Sequence, residues 1–349
     1  MRTAVPADRL ATHPAAGLAD APIAISMGDP CGIGPEITLK ACAALAGRLP
    51  FIVVGDPEHL RAEAMRLRLP VPDHIEPAGH VPGGLARGHD HALGGEAAYQ
   101  AVVCGARLAM QGQVRALVTA PLSKAALQAA GHDYPGHTEL LAQLSGAGEG
   151  AVRMMLVNPE LRVVLVSIHL PLRQALDRVT AANVLDTLNI THRSLTRAGI
   201  KPLRIAVAGL NPHAGESGLF GREDLDIIAP AIEQARAQGI DAQGPFPPDT
   251  VFMRARGLRD FDVVVAMYHD QGLIPVKYLG LDDGVNVTLG LPFVRTSPDH
   301  GTAYDLAGRT DEHGQGLADP ASLLAAIATA DQLSRAGAGN LAAPHLTTR

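Results

Sequence analysis

Six short runs of Val, Ile, Leu and Ala, each leading into Gly, Pro, Asn or His, alternate along this chain with alanine-rich amphipathic stretches of helical length. An apolar run without polar alternation is buried on both faces, and such strands belong to parallel sheets covered by helices. An α/β fold with largely parallel sheets is therefore expected. The expected strands are Ile23–Met27, Phe51–Gly55, Ala116–Thr119, Val163–Ile168, Arg204–Ala208 and Val263–Met267. The expected helices are Glu36–Leu45, Glu96–Met110, Ser123–Ala130, Thr138–Leu144, Ala181–Ala198, Asp224–Gln238 and Pro320–Ser334. No repeat of solenoid period is present. At 349 residues the chain is long enough for two domains of roughly 150 residues each. The expected units are residues 21–131 plus 300–335, and residues 132–299, with a break near Gly131–Gly136 and the last helix returning to the first unit. Val71–Gly95 reads as a surface excursion with a short hairpin. Met1–Asp20 and residues 336–349 read as loosely ordered tails.

Charge and composition exclude several partners. Lys plus Arg total 29 against 35 for Asp plus Glu, so a net charge of −6 offers no footprint for nucleic acid or an anionic membrane. Aromatics are 3% of residues and Trp is absent, which removes base-stacking platforms. No run approaches the ~18 apolar residues of a membrane span, and no signal-peptide core is present. Cys31, Cys42 and Cys104 stand at neither metal nor redox spacing, which fits a reducing cytoplasm. Small molecules and copies of the same chain remain as partners.

Three times an apolar strand is followed almost at once by a histidine: His169, His213 and His269. Ligands bind outside the carboxyl ends of strands in open parallel sheets, so three neutral imidazoles there form a candidate divalent-cation site with positions left for substrate. Their spacing matches no compact metal motif, and three surface histidines are an equal reading of the pattern alone. Asp270 either orients an imidazole or caps a helix.

Other stretches suit anions. The turn Gly28–Gly34 faces a helix start but lacks the third glycine of a dinucleotide fingerprint. His137 and Thr138 open a helix after Pro135-Gly136, with Glu139 in its first turn. Lys277, Asn286 and Arg295, expected on loops or strand ends, suit phosphate or carboxylate oxygens. Ser297, Asp299 and His300 permit a hydrolase triad to be drawn, although no nucleophile elbow surrounds Ser297.

Taken together, Met27-Gly-Asp-Pro-Cys-Gly-Ile-Gly-Pro-Glu36, Gly136-His-Thr-Glu139, Leu210-Asn-Pro-His-Ala-Gly-Glu216, Tyr268-His-Asp-Gln-Gly-Leu273 and Ser297-Pro-Asp-His-Gly-Thr302 resemble the 4-hydroxythreonine-4-phosphate dehydrogenase family, from Ile23 to Ala330. The resemblance implies a two-domain α/β/α fold similar to isocitrate and isopropylmalate dehydrogenases, with the active site in the interdomain cleft. It implies a homodimer with shared sites, the metal ligands and dimer contacts falling in residues 132–299. It further implies that His169, His213 and His269 bind a divalent cation (Zn, Mg, Co, Mn or Ni), with Asp270 behind them. His137, Thr138, Lys277, Asn286 and Arg295 fall on substrate positions, His137 and Lys277 being candidates for proton transfer. The implied reaction is NAD- or NADP-dependent oxidation of 4-phosphooxy-L-threonine and decarboxylation to 3-amino-2-oxopropyl phosphate, on the route to pyridoxal phosphate. Relatives that oxidise D-threonate or D-erythronate 4-phosphate, or a cyclohexadiene diol dicarboxylate, carry similar motifs.

Overall fold

The computed structural model describes residues 18–280 and 283–335. Leu18–Asp20 forms one 3-10 turn, and the rest of both expected tails lies outside the described residues. In chain order the strands are β1 Ile23–Ser26, β2 Phe51–Gly55, β3 Ile75–Pro77, β4 Ala116–Thr119, β5 Arg153–Val157, β6 Arg162–Leu165, β7 Ile205–Ala208, β8 Ala242–Phe246, β9 Val263–Ala266, β10 Val285–Leu289 and β11 Val294–Pro298. The helices are α1 Gly34–Leu45, α2 Pro57–Leu67, α3 Ala92–Met110, α4 Lys124–Ala129, α5 His137–Leu144, α6 Leu172–Asp177, α7 Ala181–Arg197, α8 Ala229–Ala237, α9 Val251–Ala255, α10 His269–Tyr278 and α11 Ala321–Ser334. The class is α/β, as expected. No described helix is long and apolar enough to cross a membrane.

All these strands join one sheet in the order β3-β2-β1-β4-β11-β10-β5-β6-β9-β7-β8. β3, β2, β1, β4 and β11 are mutually parallel, and so are β6, β9, β7 and β8. Between these wings, β11–β10, β10–β5 and β5–β6 are antiparallel. Three reversals leave the wings running in opposite directions.

The two faces differ. On one, Ile23, Ile25, Val164, Val263, Val265, Val285 and Val287 belong to a single apolar cluster spanning both wings, with α1, α8 and α11 packed into it. On the other the apolar material is divided. Ala24 and Leu117 pack with α3 and α5, whereas Val163, Leu165, Val264 and Ala266 pack with α9 and α10. The gap falls where β10 and β11 present Asn286, Thr288, Arg295 and Ser297, since Asn286 pairs with Ser297 and Thr288 with Arg295, and opposed antiparallel residues share a face.

Several expectations are corrected. Val71–Gly95 holds no hairpin: β3 joins β2 in parallel, the chain crossing over through α2. The charged sequence Pro57-Glu-His-Leu-Arg-Ala-Glu-Ala-Met-Arg-Leu67 hid that helix, yet Asp56 caps it through the amides of Glu58 and His59 and Pro57 stands in its first turn. β10 and β11 escaped because their residues alternate rather than run apolar, whereas β5, Arg-Met-Met-Leu-Val and buried throughout, is an apolar run that was passed over for its brevity. β8 escaped because Ala-Gln-Gly-Pro-Phe on a sheet edge has little strand propensity.

A buried carboxylate ties the late segment around Gly308 to this wing. Glu63 is 3% exposed and accepts from Arg66 Nε at 2.9 Å and from Arg87 Nη2 at 2.6 Å. Arg66 Nη1 also donates to Gly308 O at 3.4 Å. Burial alone would raise the Glu63 carboxyl, but the two guanidiniums hold it at about 2. Because the folded value lies below the unfolded one, its stabilisation is complete above the ordinary carboxylate range and is lost as pH falls from about 4.5 toward 2. The difference corresponds to about 3 kcal/mol. Urea midpoints of wild type and Glu63→Gln are expected to differ at pH 7, to draw together below about pH 4.5 and to meet only near pH 2; a gap that does not shrink over that range would refute the assignment.

Candidate active site

A cavity of about 330 Å³ opens in the polar gap between the two apolar clusters. Its wall is drawn from distant parts of the chain: Thr119–Lys124 after β4, Pro135–Glu139 at the start of α5, Met154, Ile168 and His169, the strand residues Asn286 and Arg295, and Ser297–Gly301.

Arg295 is its deepest cation, 2% exposed. Nη1 donates to Thr288 Oγ1 at 3.0 Å and Nη2 to Thr119 Oγ1 at 2.6 Å. Nε is enclosed without a partner. Burial pushes the guanidinium down to about 9 against the opposing pull of Glu139, so it remains a cation at neutral pH. Two more enclosed atoms lack partners here: Nε2 of His137 and Oδ1 of Asn286. Such orphans each cost about 1–3 kcal/mol, so three around one cavity mark a polar ligand's place. Burial, then Arg295 and Lys124, push the His137 imidazole well below its ordinary value and keep it neutral. Thr138 joins the wall beside it.

Lys277 reaches this region by an ion pair with Asp299 at 2.9 Å. It lies within α10, and Asn286 and Arg295 lie within strands, not on the loops or strand ends expected. Gly272 and Pro275 made α10 read as irregular. The glycine is there because a Cβ would stand 2.5 Å from Leu165 Cδ2, so it lets the helix press onto β6.

The strand-end histidines do come from neighbouring parallel strands, β6, β9 and β7. The His169 and His269 rings lie 5.7 Å apart between centroids. Asp270 Oδ1 stands 2.7 Å from His269 Nδ1, an acceptor that fixes the proton on Nδ1 and leaves Nε2 as a donor to a cation. Asp270 is not the cap of α10; that position belongs to Tyr268. Burial, Lys124 and His269 lower the His169 imidazole. His213 stands apart, exposed on a turn in which His213 to Ser217 all have left-handed φ, between 42° and 79°, its ring 6.2 Å from that of Phe220. Buried Asp224 anchors the turn's root by accepting from the amides of Leu210 and Asn211 at 2.8 and 3.1 Å. Among the described residues, no three His, Cys, Asp or Glu side chains gather closely enough to hold a metal ion. One chain thus brings two of the three imidazoles together.

Two other sequence candidates resolve. The turn Gly28–Gly34 is filled by its own chain: a Cβ on Gly28 would stand 2.5 Å from Pro121 O and one on Gly32 2.7 Å from Thr302 O. It shores up the cavity wall and leaves no cradle for a pyrophosphate. Ser297, Asp299 and His300 all line the cavity, but His300 Nδ1 lies 3.0 Å from Gly301 O and Asp299 pairs with Lys277, so no relay links the three. Sequence reasoning missed Thr119, Thr288 and Lys124. Lys124 follows β4 as closely as the histidines follow theirs, a signal sought only for imidazoles.

Comparison with known proteins bears on family and fold. The family model for pyridoxal phosphate biosynthetic protein PdxA matches residues 36–330. The 4-hydroxythreonine-4-phosphate dehydrogenase of Beijerinckia indica subsp. indica is 52% identical over 332 residues, covering 90% of this chain and 95% of that one. The D-threonate 4-phosphate dehydrogenase of Cupriavidus necator is 46% identical over 336 residues, covering 89% and 97%. A crystal structure of 4-hydroxythreonine-4-phosphate dehydrogenase from Klebsiella pneumoniae superposes with a TM-score of 0.81 at 42% identity, covering 90% of this chain and 99% of that one.

Proposed function

Since this chain belongs to the family of pyridoxal phosphate biosynthetic protein PdxA and is a dehydrogenase, we propose that it oxidises 4-phosphooxy-L-threonine with NAD or NADP and releases CO₂ to give 3-amino-2-oxopropyl phosphate. The observation that carries this reading is the set of orphaned atoms, His137 Nε2, Asn286 Oδ1 and Arg295 Nε, around one cavity also lined by Lys124 and by Asp299, the ion-pair partner of Lys277. A donor, an acceptor and several cations suit a small molecule bearing a phosphate, a carboxylate and a hydroxyl.

His169 and His269 fit a divalent cation by their ring separation and by Asp270 behind His269. Imidazoles suit Zn, Co or Ni, and Mg or Mn serves where substrate oxygens complete the shell. Such a cation supplies Lewis acidity that lowers the pKa of a substrate hydroxyl and favours the enolate left by CO₂ loss. The nicotinamide supplies the hydride acceptor. Neutral His137 is in the protonation state needed to take the hydroxyl proton. In this reading the Lys277 ammonium, held by Asp299, returns a proton to the enolate carbon. Arg295, Asn286 and Thr138 bind and orient.

The third imidazole, His213, comes in this reading from a second copy. Exposed Leu219 and Phe220 beside it, and Leu170 and Leu172 after His169, support burial of this edge in a homodimer with shared sites. The division into residues 21–131 plus 300–335 and residues 132–299 belongs to the same reading, because the cavity takes its wall from both. Cytoplasmic residence follows from the metabolite it would act on and from three buried, unpaired cysteines. The D-threonate enzyme's similarity supports a second reading, oxidation of D-threonate or D-erythronate 4-phosphate.

The test is NADH formation by the purified protein, with each divalent cation, on these phosphorylated acids and on a non-phosphorylated diol dicarboxylate. We expect kcat/KM for 4-phosphooxy-L-threonine to exceed that for the others by about tenfold or more, worth 1.4 kcal/mol at the transition state. Preference for a threonate ester would favour the second reading, and turnover of the diol alone would defeat both.

A further inference from the structure

We propose that Lys124 is a substrate-binding residue: its ammonium holds one of the substrate's two anionic groups at the cavity mouth while Arg295 holds the other at the floor. The chain contains only four lysines, Lys40, Lys124, Lys201 and Lys277. Lys40 is fastened to Glu36 at 2.9 Å and Lys277 to Asp299 at 2.9 Å. Lys124 lines the cavity, is exposed, and makes no ion pair or side-chain hydrogen bond with any described residue.

Its position runs against local preference. Lys124 is the first residue of α4, directly after the cap Ser123, where a positive charge opposes the helix dipole. Residues that break a local rule without a local gain concentrate at functional sites. It also faces the enclosed His137 imidazole across the cavity, which burial, then Arg295 and Lys124, lower. Gly136 keeps the intervening space open: a Cβ there would lie 3.8 Å from Lys124 Cε and 3.6 Å from Glu139 Oε2. A side chain at 136 would therefore fill the gap between the ammonium's stem and the Glu139 carboxylate.

Two cations at different depths match a molecule that is anionic at both ends. Arg295, already committed to Thr288 and Thr119, has a fixed fork at the floor. Lys124 is a point charge on a mobile stem, which can follow a hydrated anion into the site. The assignment rests on the dehydrogenase reading above, but its test separates the two.

Lys124→Ala is expected to raise KM for the phosphorylated substrate ~10–100-fold, as for a lost charge-assisted contact, with kcat changed less than about threefold. Lys124→Arg is expected to recover much of that loss and Lys124→Gln little. The melting temperature should stay within about 2 °C of wild type, because an exposed side chain without partners supports no fold contact. Calorimetric binding of inorganic phosphate and of malonate to the nucleotide-free protein identifies the group held: weaker phosphate binding in Lys124→Ala assigns the ester, weaker malonate binding the carboxylate. Unchanged KM together with unchanged binding of both anions overturns the proposal. If wild type turns over no phosphorylated acid, the dehydrogenase reading fails while the anion-binding arm still decides Lys124.

Discussion

Two inactive variants, His169→Ala and His213→Ala, are expected to regain about a quarter of wild-type activity when their subunits are mixed and allowed to reassociate. In a mixed dimer with shared sites, one site collects both lesions and the other collects none. Half of the randomly formed dimers are mixed, so one site in four is intact. The expectation stems from the geometry: His169 and His269 adjoin at 5.7 Å between ring centroids, whereas His213 sits on an exposed left-handed turn beside Phe220. His169 and His213 are both exposed, so the variants should fold, and cation content measured on the same samples should follow activity. Mixed dimers isolated by two affinity tags and found inactive would place all three imidazoles in one chain and refute the shared site.

The second large effect concerns Arg295. Arg295→Met should lower kcat/KM by about 10²–10³-fold, because a substrate anion then enters a pocket without its buried counter-charge. Stability should move the other way or not at all. A fully enclosed guanidinium with no carboxylate in ion-pair range among the described residues is costly to fold, and a methionine of similar reach removes that cost. Activity lost at an undiminished melting temperature marks a residue kept for its ligand. A fall of less than tenfold would show that the cavity floor is not where the anion rests.

The sheet's wings were legible in the sequence because each of their main strands is a continuous apolar run, and the three strand-end histidines were correctly assigned to one edge for the same reason. The seam was not legible. Val285-Asn-Val-Thr-Leu289 and Val294-Arg-Thr-Ser-Pro298 bury one face and offer polar side chains to the cavity on the other, so they read as loops when continuous hydrophobicity is the signal. This also explains the misplacement of Asn286 and Arg295: the residue types were recognised and their backbone setting was not. Lys124 was passed over because its place after β4 was weighed only for imidazoles, and strand-end position alone does not separate a surface lysine from one facing a cavity. That distinction depends on Pro135–Gly136 arriving from another part of the chain. The separation of His213 from the other two imidazoles is equally unreadable, since it depends on a turn held by Asp224 and on how neighbouring copies meet.

The position of β11 has a consequence for how the molecule is made. Val294–Pro298 pairs with β4 on one side and β10 on the other, and α11 packs against it, so a segment far along the sequence completes a layer begun by an early one. A ribosome adding about 5–20 residues per second leaves the free side of Ala116–Thr119 waiting roughly ten to forty seconds for its neighbour. During that interval the nascent polypeptide carries a bare edge, open to pairing with another chain or to a chaperone. Translation must have passed Pro298 before the floor on which Arg295 stands exists at all.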